Sequence, residues 1–543
     1  MLNGLMMQTP LVISMLIEHA ARHHGDTEIV SRRVEGDLHR TNYRGLARRA
    51  RQLANALGAV GIRESDRVAT LAWNGYRHME LYYAVSGSGA VLHTINPRLH
   101  PDQIAWIAND AEDQALFFDA TFLPLVEAVA AKVKTVRTWV LMTDREHMPA
   151  RTSLPNLLCY EELVVPQPDV YDWPIFDENA AATLCYTSGT TGDPKGVLYS
   201  HRSTLLHSYA VSLPDAASLS AQDVALPVVP MFHANAWGMV YAAPLVGAKL
   251  VFPGPYLDGK SLYELFERER VTHASGVPTV WQGLLAHMQA HGLRFSSLRR
   301  TLIGGAAIPS SMLRAFEVVY GVDVSHGWGM TEMSPVGTVG ALKARHYADS
   351  PEERLAVKAK QGRVLPGVDL KVVDVDGREL PWDGVSTGEL HARGPWVARD
   401  YFKNAGSHVL RDGWFPTGDV ATIDPDGYMM ITDRSKDLIK SGGEWISSIE
   451  IEDIAMSHPA VAMAACVGVR HPKWDERPLL VVVQKPDGKL TRGEILGYFA
   501  GKVAKWQIPD DVVFVTAIPL GPTGKMLKSK LREQFRDYRW PAG

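Results

Sequence analysis

The stretch TLCYTSGTTGDPKGVLYSH, residues 183–201, decides how this chain is read. An apolar run leads into it at Thr183–Tyr186 and another leads out at Val197–Tyr199, so the segment reads as strand, loop, strand. Between them Thr187, Ser188, Gly189, Thr190, Thr191 and Gly192 follow without a break, and Lys195 comes shortly after. Glycines let backbone N–H groups turn toward an anion. The hydroxyls add donors and the lysine adds a point charge. Those are the parts of a cradle for the terminal phosphates of a nucleotide. A Ser/Thr/Gly hairpin turn would account for a shorter run, but not for this one followed by Asp193-Pro194-Lys195-Gly196. It is not a Walker A loop, because Pro194 precedes Lys195 and a strand, not a helix, follows.

Outward from the loop, apolar patterns alternate between the two regular periods. Residues 40–60 have apolar positions at helical spacing with arginines on the other face, and DRVATLAW follows as a buried strand. HMELYYAVSGSGAVLHTI reads as helix then strand. AKLVF, SLYELFERE, VTHASGVP and RRTLIGG continue the alternation past residue 300. This predicts an α/β fold of layered subdomains with largely parallel sheets. Around 360–433 the character changes. GVDLKVVDVDGREL and GYMMITDR read as short hairpins with Asp-Gly turns, hence a small β-rich subdomain. Residues 434–448 are polar and glycine-containing and read as a linker. Beyond them SIEIEDIAMSH, VAMAACVGV, PLLVVVQ, GEILGYFAGKV and VVFVTAI predict a compact α+β domain. The expected division is 1–434 and 435–543.

The chain has 543 residues, which suggests two or more domains. Its net charge of −4 gives no general field for nucleic acid, so a polyanionic ligand must be held by local groups. Cys159, Cys185 and Cys466 lie far apart, without the spacing of a disulfide framework or a metal site, which fits a reducing compartment. The N-terminal MLNGLMMQTPLVISMLIEHAARH reads as a short amphipathic helix from about Ser14, not a signal peptide. No stretch approaches the length of a membrane span, and RWPAG carries no lipidation or retention signal. The expectation is a soluble cytoplasmic enzyme.

YTSGTTGDPKG resembles the signature of the adenylate-forming superfamily, which includes acyl-CoA synthetases, peptide-synthetase adenylation domains and luciferases. Further motifs resemble that family in order as far as Lys525. The resemblance implies ATP, Mg²⁺ and coenzyme A acting on a small-molecule carboxylic acid, with a mobile C-terminal domain and a possible homodimer. GWGMTEMSP, residues 327–335, resembles the adenine and metal segment. Gly327, Trp328, Gly329 and Met330 would flank the nucleotide, Thr331 would bond an α-phosphate oxygen, and Glu332, with Thr190, would hold Mg²⁺. A carboxylate plus phosphate oxygens suits that ion. GGAAIP, residues 304–309, brings Gly304 and Ala306 beside adenine. WFPTGD would end a strand at Asp419, the ribose ligand, and Arg434 would touch the ribose as well.

By the same resemblance, Lys525 in PTGKMLKSK bridges the acid and the α-phosphate, where a cation offsets the repulsion between two anions. Lys528 and Lys530 read as surface charges. Lys436 resembles the hinge. SGGEWIS resembles the thiol-step signature, so Gly442, Gly443, Lys440, Glu444, Trp445 and, in HPKWDERP, Trp474 are candidates for the CoA tunnel. VVPMFHANAWGMVYAAPLVG, residues 228–247, resembles the helix entry lining the acid pocket. His233 would lie near the acyl carbonyl and Trp237 at the aromatic gate. Gly304, Gly305, Val277, Pro278, Trp281, Trp328, Met330 and Pro335 would add small or apolar walls. No candidate for a second buried cation is evident, so the tail should be uncharged. FHANAW, SGGEWISS and HPKWDERP resemble bacterial fatty acyl-CoA synthetases and 3-methylmercaptopropionate ligases. A short-to-medium acid is expected, with a long-chain fatty acid or a non-CoA acceptor as alternatives.

Overall fold

The computed structural model describes residues 1–187, 194–403, 409–441, 444–486, 488–521 and 525–541. A nine-stranded sheet runs in the spatial order Arg363–Val364, Val336–Val339, Asp323–Gly329, Arg300–Gly304, His273–Gly276, Val224–Pro227, Lys249–Phe252, Glu28–Arg32 and Leu38–Asn42. Its central strands are parallel, and antiparallel strands close both edges. A seven-stranded sheet runs Leu158–Cys159, Thr138–Leu141, Asp113–Phe118, Arg67–Leu71, Val91–Thr94, Ala181–Tyr186 and Gly196–Ser200, and only its last pair is antiparallel. Helices cover both faces of such sheets, so strands like Val91–Thr94 and His273–Gly276 are buried throughout.

Helix Tyr76–Gly87 lies between the sheets, against Val91–Thr94 and Ala181–Tyr186 of one and Glu28–Arg32 of the other. All its residues are buried, so its polar groups need partners within the protein. Arg77 pairs with Glu35 at 2.7 Å and Glu161 at 2.9 Å, and Glu80 pairs with Arg49 at 2.5 Å. Just before this helix, the amide of Asn74 donates to the carbonyls of Pro227 and Val229 (2.9 Å each), and its oxygen accepts from Met231 N–H (2.7 Å). The segment leading to His233 is thereby pinned to the opposite sheet.

The β-rich region is a four-stranded antiparallel sheet of Asp369–Val373, Gly388–Arg393, Phe415–Ile423 and Met429–Arg434. The C-terminal part is a smaller α+β fold. Its sheet orders Glu444–Ile446, Ile439–Ser441, Asp475–Gln484 and Val461–His471, with Asp511–Phe514 also paired to Asp475–Gln484. Helices Ser448–Met456, Arg492–Tyr498 and Lys528–Gln534 pack on it. Among the described residues no helix is long and apolar enough to cross a membrane.

Two expectations need correction. Residues 434–448 are not simply a linker. They hold the hairpin Ile439–Ser441/Glu444–Ile446, in which Lys440 faces Trp445 and Ser441 also pairs with Asp475. Ile439, Ser441 and Ile446 are buried. That alternation is too short, and too interrupted by glycine, to stand out in a polar stretch. Nor is Lys528 a surface charge. Its Nζ lies 2.7 Å from Glu452 Oε1 and donates to Ser448 Oγ at 2.6 Å, while Ser448 Oγ also lies 2.7 Å from Asp433 Oδ2. Burial pushes the Glu452 carboxyl up to about 7, against the pull of Lys528. Burial alone would lower the Lys528 ammonium, but Glu452 and Asp433 outweigh it and hold it above the ordinary lysine value. Asp433 belongs to the four-stranded sheet, so this network joins that sheet to the C-terminal fold.

Replacing Lys528 by Ala leaves Glu452 and Asp433 buried without their cation. The expected loss is about 3 kcal/mol of stability, read as a lower denaturant midpoint. An unchanged midpoint would show that the network does not hold the C-terminal part in place.

Candidate active site

A cavity of about 2080 Å³ opens at the C-terminal ends of Arg300–Gly304 and Asp323–Gly329 and is bounded also by the four-stranded sheet and the C-terminal part. Ligands of open α/β sheets bind at that end of the strands. Antiparallel strands Ala181–Tyr186 and Gly196–Ser200 flank the Ser/Thr/Gly-rich segment. Thr187 N–H donates to the Lys195 carbonyl (2.9 Å) and Lys195 N–H to Thr187 Oγ1 (3.1 Å), which ties the ends of the loop together. Ser188, Gly189, Thr190, Thr191 and Gly192 lie outside the described residues, as do Gly442 and Gly443.

Two tyrosines that the sequence reading missed fix the segment holding Thr331 and Glu332. The Lys195 ammonium lies 4.8 Å from the ring centroid of Tyr401, whose hydroxyl donates to Glu332 Oε1 at 2.7 Å. Tyr199 donates to the Thr331 carbonyl at 2.5 Å. Burial, then the charge of Glu332, raises the Tyr401 phenol, so it stays a donor. Gly329 is required by a close approach, since a Cβ there would stand 1.9 Å from the Pro335 carbonyl oxygen. The chain folds back at that point, and Met330 N–H donates to the same oxygen at 3.0 Å.

Asp419 is held from two sides. Oδ2 accepts from the Trp328 indole at 2.8 Å and Oδ1 lies 2.9 Å from Arg434 Nε. It sits within Phe415–Ile423, opposite Arg434 in the hairpin, and not at a strand end. The preceding Gly418, at φ +74°, looks like a stop in sequence, yet the strand continues through Val420–Ile423. Gly304, Ala306 and Gly327 line the same cavity.

Lys525 enters from the C-terminal part. Its Cε lies 3.9 Å from where a Gly305 Cβ would stand. Burial, then Arg434, brings its ammonium down to about 8, although Asp419 and Glu332 act in the other direction. No carboxylate among the described residues forms an ion pair with it. A partly desolvated cation left over in a cleft is suited to an anionic ligand. Lys436 lines the cavity nearby, with burial the largest influence lowering its ammonium. Burial, with Lys525 second, holds His233 at about 4, so its imidazole is neutral near pH 7.

The side of the cavity around Trp237 is built on a different kind of backbone. Residues 228–247 do not pass straight into a helix. Ala234, Asn235, Ala236 and Trp237 have φ of 42°, 56°, 50° and 56°, and Gly238 has 82°. Only then does helix Met239–Val246 begin. Left-handed residues cost roughly 1–2 kcal/mol each, so the turn needs support. Tyr82 donates to the Met231 carbonyl (2.5 Å) and Asn235 Oδ1 (3.2 Å), and the Asn235 amide donates to Thr183 Oγ1 (3.2 Å). The turn delivers Trp237 over two glycines: its ring lies 3.4 Å from a Cβ built on Gly304 and 3.8 Å from one on Gly305. Met330 and Pro335 line the cavity as well. Trp281 does not. It falls on the buried stripe Pro278, Trp281, Leu284, Met288 of helix Pro278–Ala290 and packs against Phe266 and Phe316. The phase of the helix decides this, and the motif alone did not reveal it.

Lys440, Glu444, Trp445 and Trp474 are not part of the cavity wall. Lys440 lies over Trp445 (5.1 Å) and Lys473 over Trp474 (4.6 Å), with the tryptophans 48% and 42% exposed.

Removing the Tyr401 hydroxyl (Tyr401→Phe) takes a hydrogen bond from the Glu332 carboxylate. Bonds to charged groups contribute about 1.5–3 kcal/mol, so kcat/KM for ATP should fall about tenfold or more while the KM for the acid stays near wild type. An unchanged value for ATP would mean that Tyr401 does not position Glu332.

Known proteins fit this geometry. The family model described as AMP-binding enzyme matches residues 17–402, and that of the AMP-binding enzyme C-terminal domain matches 450–525. The chain is 55% identical to the 3-methylmercaptopropionyl-CoA ligase of Ruegeria lacuscaerulensis, covering 98% of this chain and 99% of that protein. It is 54% identical to the medium-chain-fatty-acid–CoA ligase of Ectopseudomonas oleovorans, covering 98% of each. A solved anthranilate CoA ligase in complex with anthranoyl-AMP shares the fold, with a TM-score of 0.86 at 24% identity over 97% of this chain and 98% of that one. The chain thus belongs to the AMP-binding enzyme family and, with it, to the adenylate-forming superfamily.

Proposed function

We propose that this chain, an AMP-forming acyl-CoA synthetase, takes a short-to-medium carboxylic acid with an uncharged tail, 3-methylmercaptopropionate among the candidates. The observation that carries the reading is Lys525, a cation with no ion pair among the described residues that reaches the cavity Asp419 and Arg434 share with Trp237. Leu302 and Pro335 line the tail side, with Val277 packed 3.2 Å from where a Gly305 Cβ would stand, and the acids named for the two relatives fit such a wall.

In the first step, a carboxylate oxygen of the acid attacks the α-phosphorus of ATP. A P–O bond forms, the bond to the β-phosphate breaks, and pyrophosphate leaves. Lys525 draws the two anions together and stabilises charge in the transition state. Asp419 and Arg434 hold the ribose, and Thr187 and Lys195 flank the leaving phosphates. Thr331 would bond an α-phosphate oxygen, and Mg²⁺ suits the carboxylate of Glu332, where Tyr401 engages one oxygen. Thr190 is its second expected ligand. When bound, the ion neutralises phosphate charge. His233, neutral, borders the acyl group without adding charge.

In the second step, the sulfur of CoA attacks the acyl carbonyl, the C–O bond to AMP breaks, and the thiol proton passes to solvent. The C-terminal domain, 435–543, turns about Lys436, withdraws Lys525 and brings up Gly442, Gly443, Lys440, Glu444, Trp445 and Trp474. Lys440, Glu444, Trp445 and Trp474 lie outside the cavity wall while Lys525 is inside, which supports this division of labour.

The test is AMP formation with ATP, Mg²⁺ and CoA across acids from propionate and 3-methylmercaptopropionate to palmitate. The optimum is expected among the short thioether and medium-chain acids; an optimum at palmitate would overturn the tail reading. Lys525→Ala should abolish adenylation yet still convert supplied acyl-adenylate to thioester. Loss of both steps would argue against a first-step role.

Only the protonated Lys525 supplies the charge, and its pKa in the free protein is about 8. Adenylation kcat/KM should therefore fall as pH rises through about 8. Bound ATP, an anion, should raise that pKa, so the fall in kcat should come at higher pH. A profile flat from pH 7 to 10 would remove Lys525 from this role.

A further inference from the structure

In the nine-stranded sheet, Ser275, Leu302 and Ser325 stand in register on adjacent parallel strands. Side chains two apart along a strand share a face, so Arg300, Leu302 and Gly304 line one side of the sheet in sequence. Gly304 borders the reaction cavity. Arg300 borders a second cavity of about 430 Å³ toward the other end of the strands. Leu302 borders both. It is 2% exposed, and its Cδ1 lies 3.1 Å from where a Cβ of Gly327 would stand, so it leans onto the neighbouring strand and fills the space that glycine leaves.

We infer that Leu302 is the partition that ends the acyl pocket and sets the length of the tail. The inference rests on the acid reading above. Trp237 covers Gly304 at the near end, and Leu302 is the next side chain down the same face. Beyond it the wall changes chemistry. Arg300 there pairs with Asp223 at 2.7 Å and donates to the Ser218 carbonyl at 3.1 Å, and Lys358 pairs with Glu317 and Asp323. Leu302 is therefore the barrier a growing tail meets first, and these charged groups, costly to deprive of water, mark the far limit of any space opened behind it. The second cavity is of ligand-binding size, so a smaller residue at 302 would join the two spaces.

The experiment compares wild type, Leu302→Ala, Leu302→Val and Leu302→Phe on even-numbered acids from butyrate to palmitate. Two readouts are taken: kcat/KM for AMP formation, and displacement of a fluorescent fatty acid without ATP or CoA. A methylene in an apolar pocket changes specificity about tenfold or more. Leu302→Ala should raise the preference for dodecanoate over hexanoate about tenfold or more, with Leu302→Val between it and wild type. Leu302→Phe should shift the preference toward shorter acids. Variants that remain folded by circular dichroism and keep the wild-type order of acids in both readouts would overturn the partition. If Leu302→Ala fails to fold, the opposite shifts of Val and Phe still decide. A wild type that forms no AMP with any acid would refute the acid reading, while the displacement series would still decide whether Leu302 limits the tail.

Discussion

The Lys528 ammonium, paired with Glu452 and bonded to Ser448 beside Asp433, is the interaction on which the site's present arrangement depends. It buries one cation and two carboxylates where the four-stranded sheet meets the C-terminal fold. Charges are costly to bury unless paired and hydrogen-bonded, and this group meets that condition only when both parts are in place. Helix Lys528–Gln534 starts at this anchor. Lys525, just before it in the chain, is thereby carried into the cavity. The two lysines show how environment sets charge. Carboxylates hold Lys528 above its ordinary value, whereas Lys525, desolvated beside Arg434, falls to about 8.

The cavity has two sides built on different principles. The side around Asp419 and Glu332 uses cross-braced polar groups: Trp328 and Arg434 hold Asp419, and Tyr401 links Lys195 to Glu332. The side around Trp237 uses a strained turn pinned by buried hydrogen bonds and two glycines that leave room for the indole. The two sides of the cavity therefore come largely from different elements.

Much of this was legible in the sequence because the information is local. The layered α/β fold follows from alternating periods, and the strand–loop–strand form around 183–201 from the apolar runs that flank its Ser, Thr and Gly. Asp419 and Lys525 were legible only as members of an ordered set of motifs, since an aspartate after glycine or a lysine near a chain end says little alone. Tyr199, Tyr401, Lys528 and Leu302 were not legible. Each has its role from a partner distant in sequence, such as Glu332 for Tyr401 and Glu452 for Lys528. Trp281 was misplaced because an apolar residue near the expected pocket in sequence still needs the right rotational phase of its helix to face it. The hairpin at 439–446 was missed because its alternation is only a few residues long.

The turn at 234–237 bears on how this protein can change. Elsewhere in a binding wall, a residue is replaceable by anything of similar size and polarity. Here each position must also accept positive φ, a conformation in which β-branched side chains are strongly disfavoured. Ala234, Asn235 and Ala236 are small, and Asn tolerates this region better than most residues. Drift in this stretch is thus filtered first by main-chain geometry and only afterwards by the ligand. Change in this wall is more accessible through side chains that reach the cavity from ordinary strands than through the turn that aims its tryptophan.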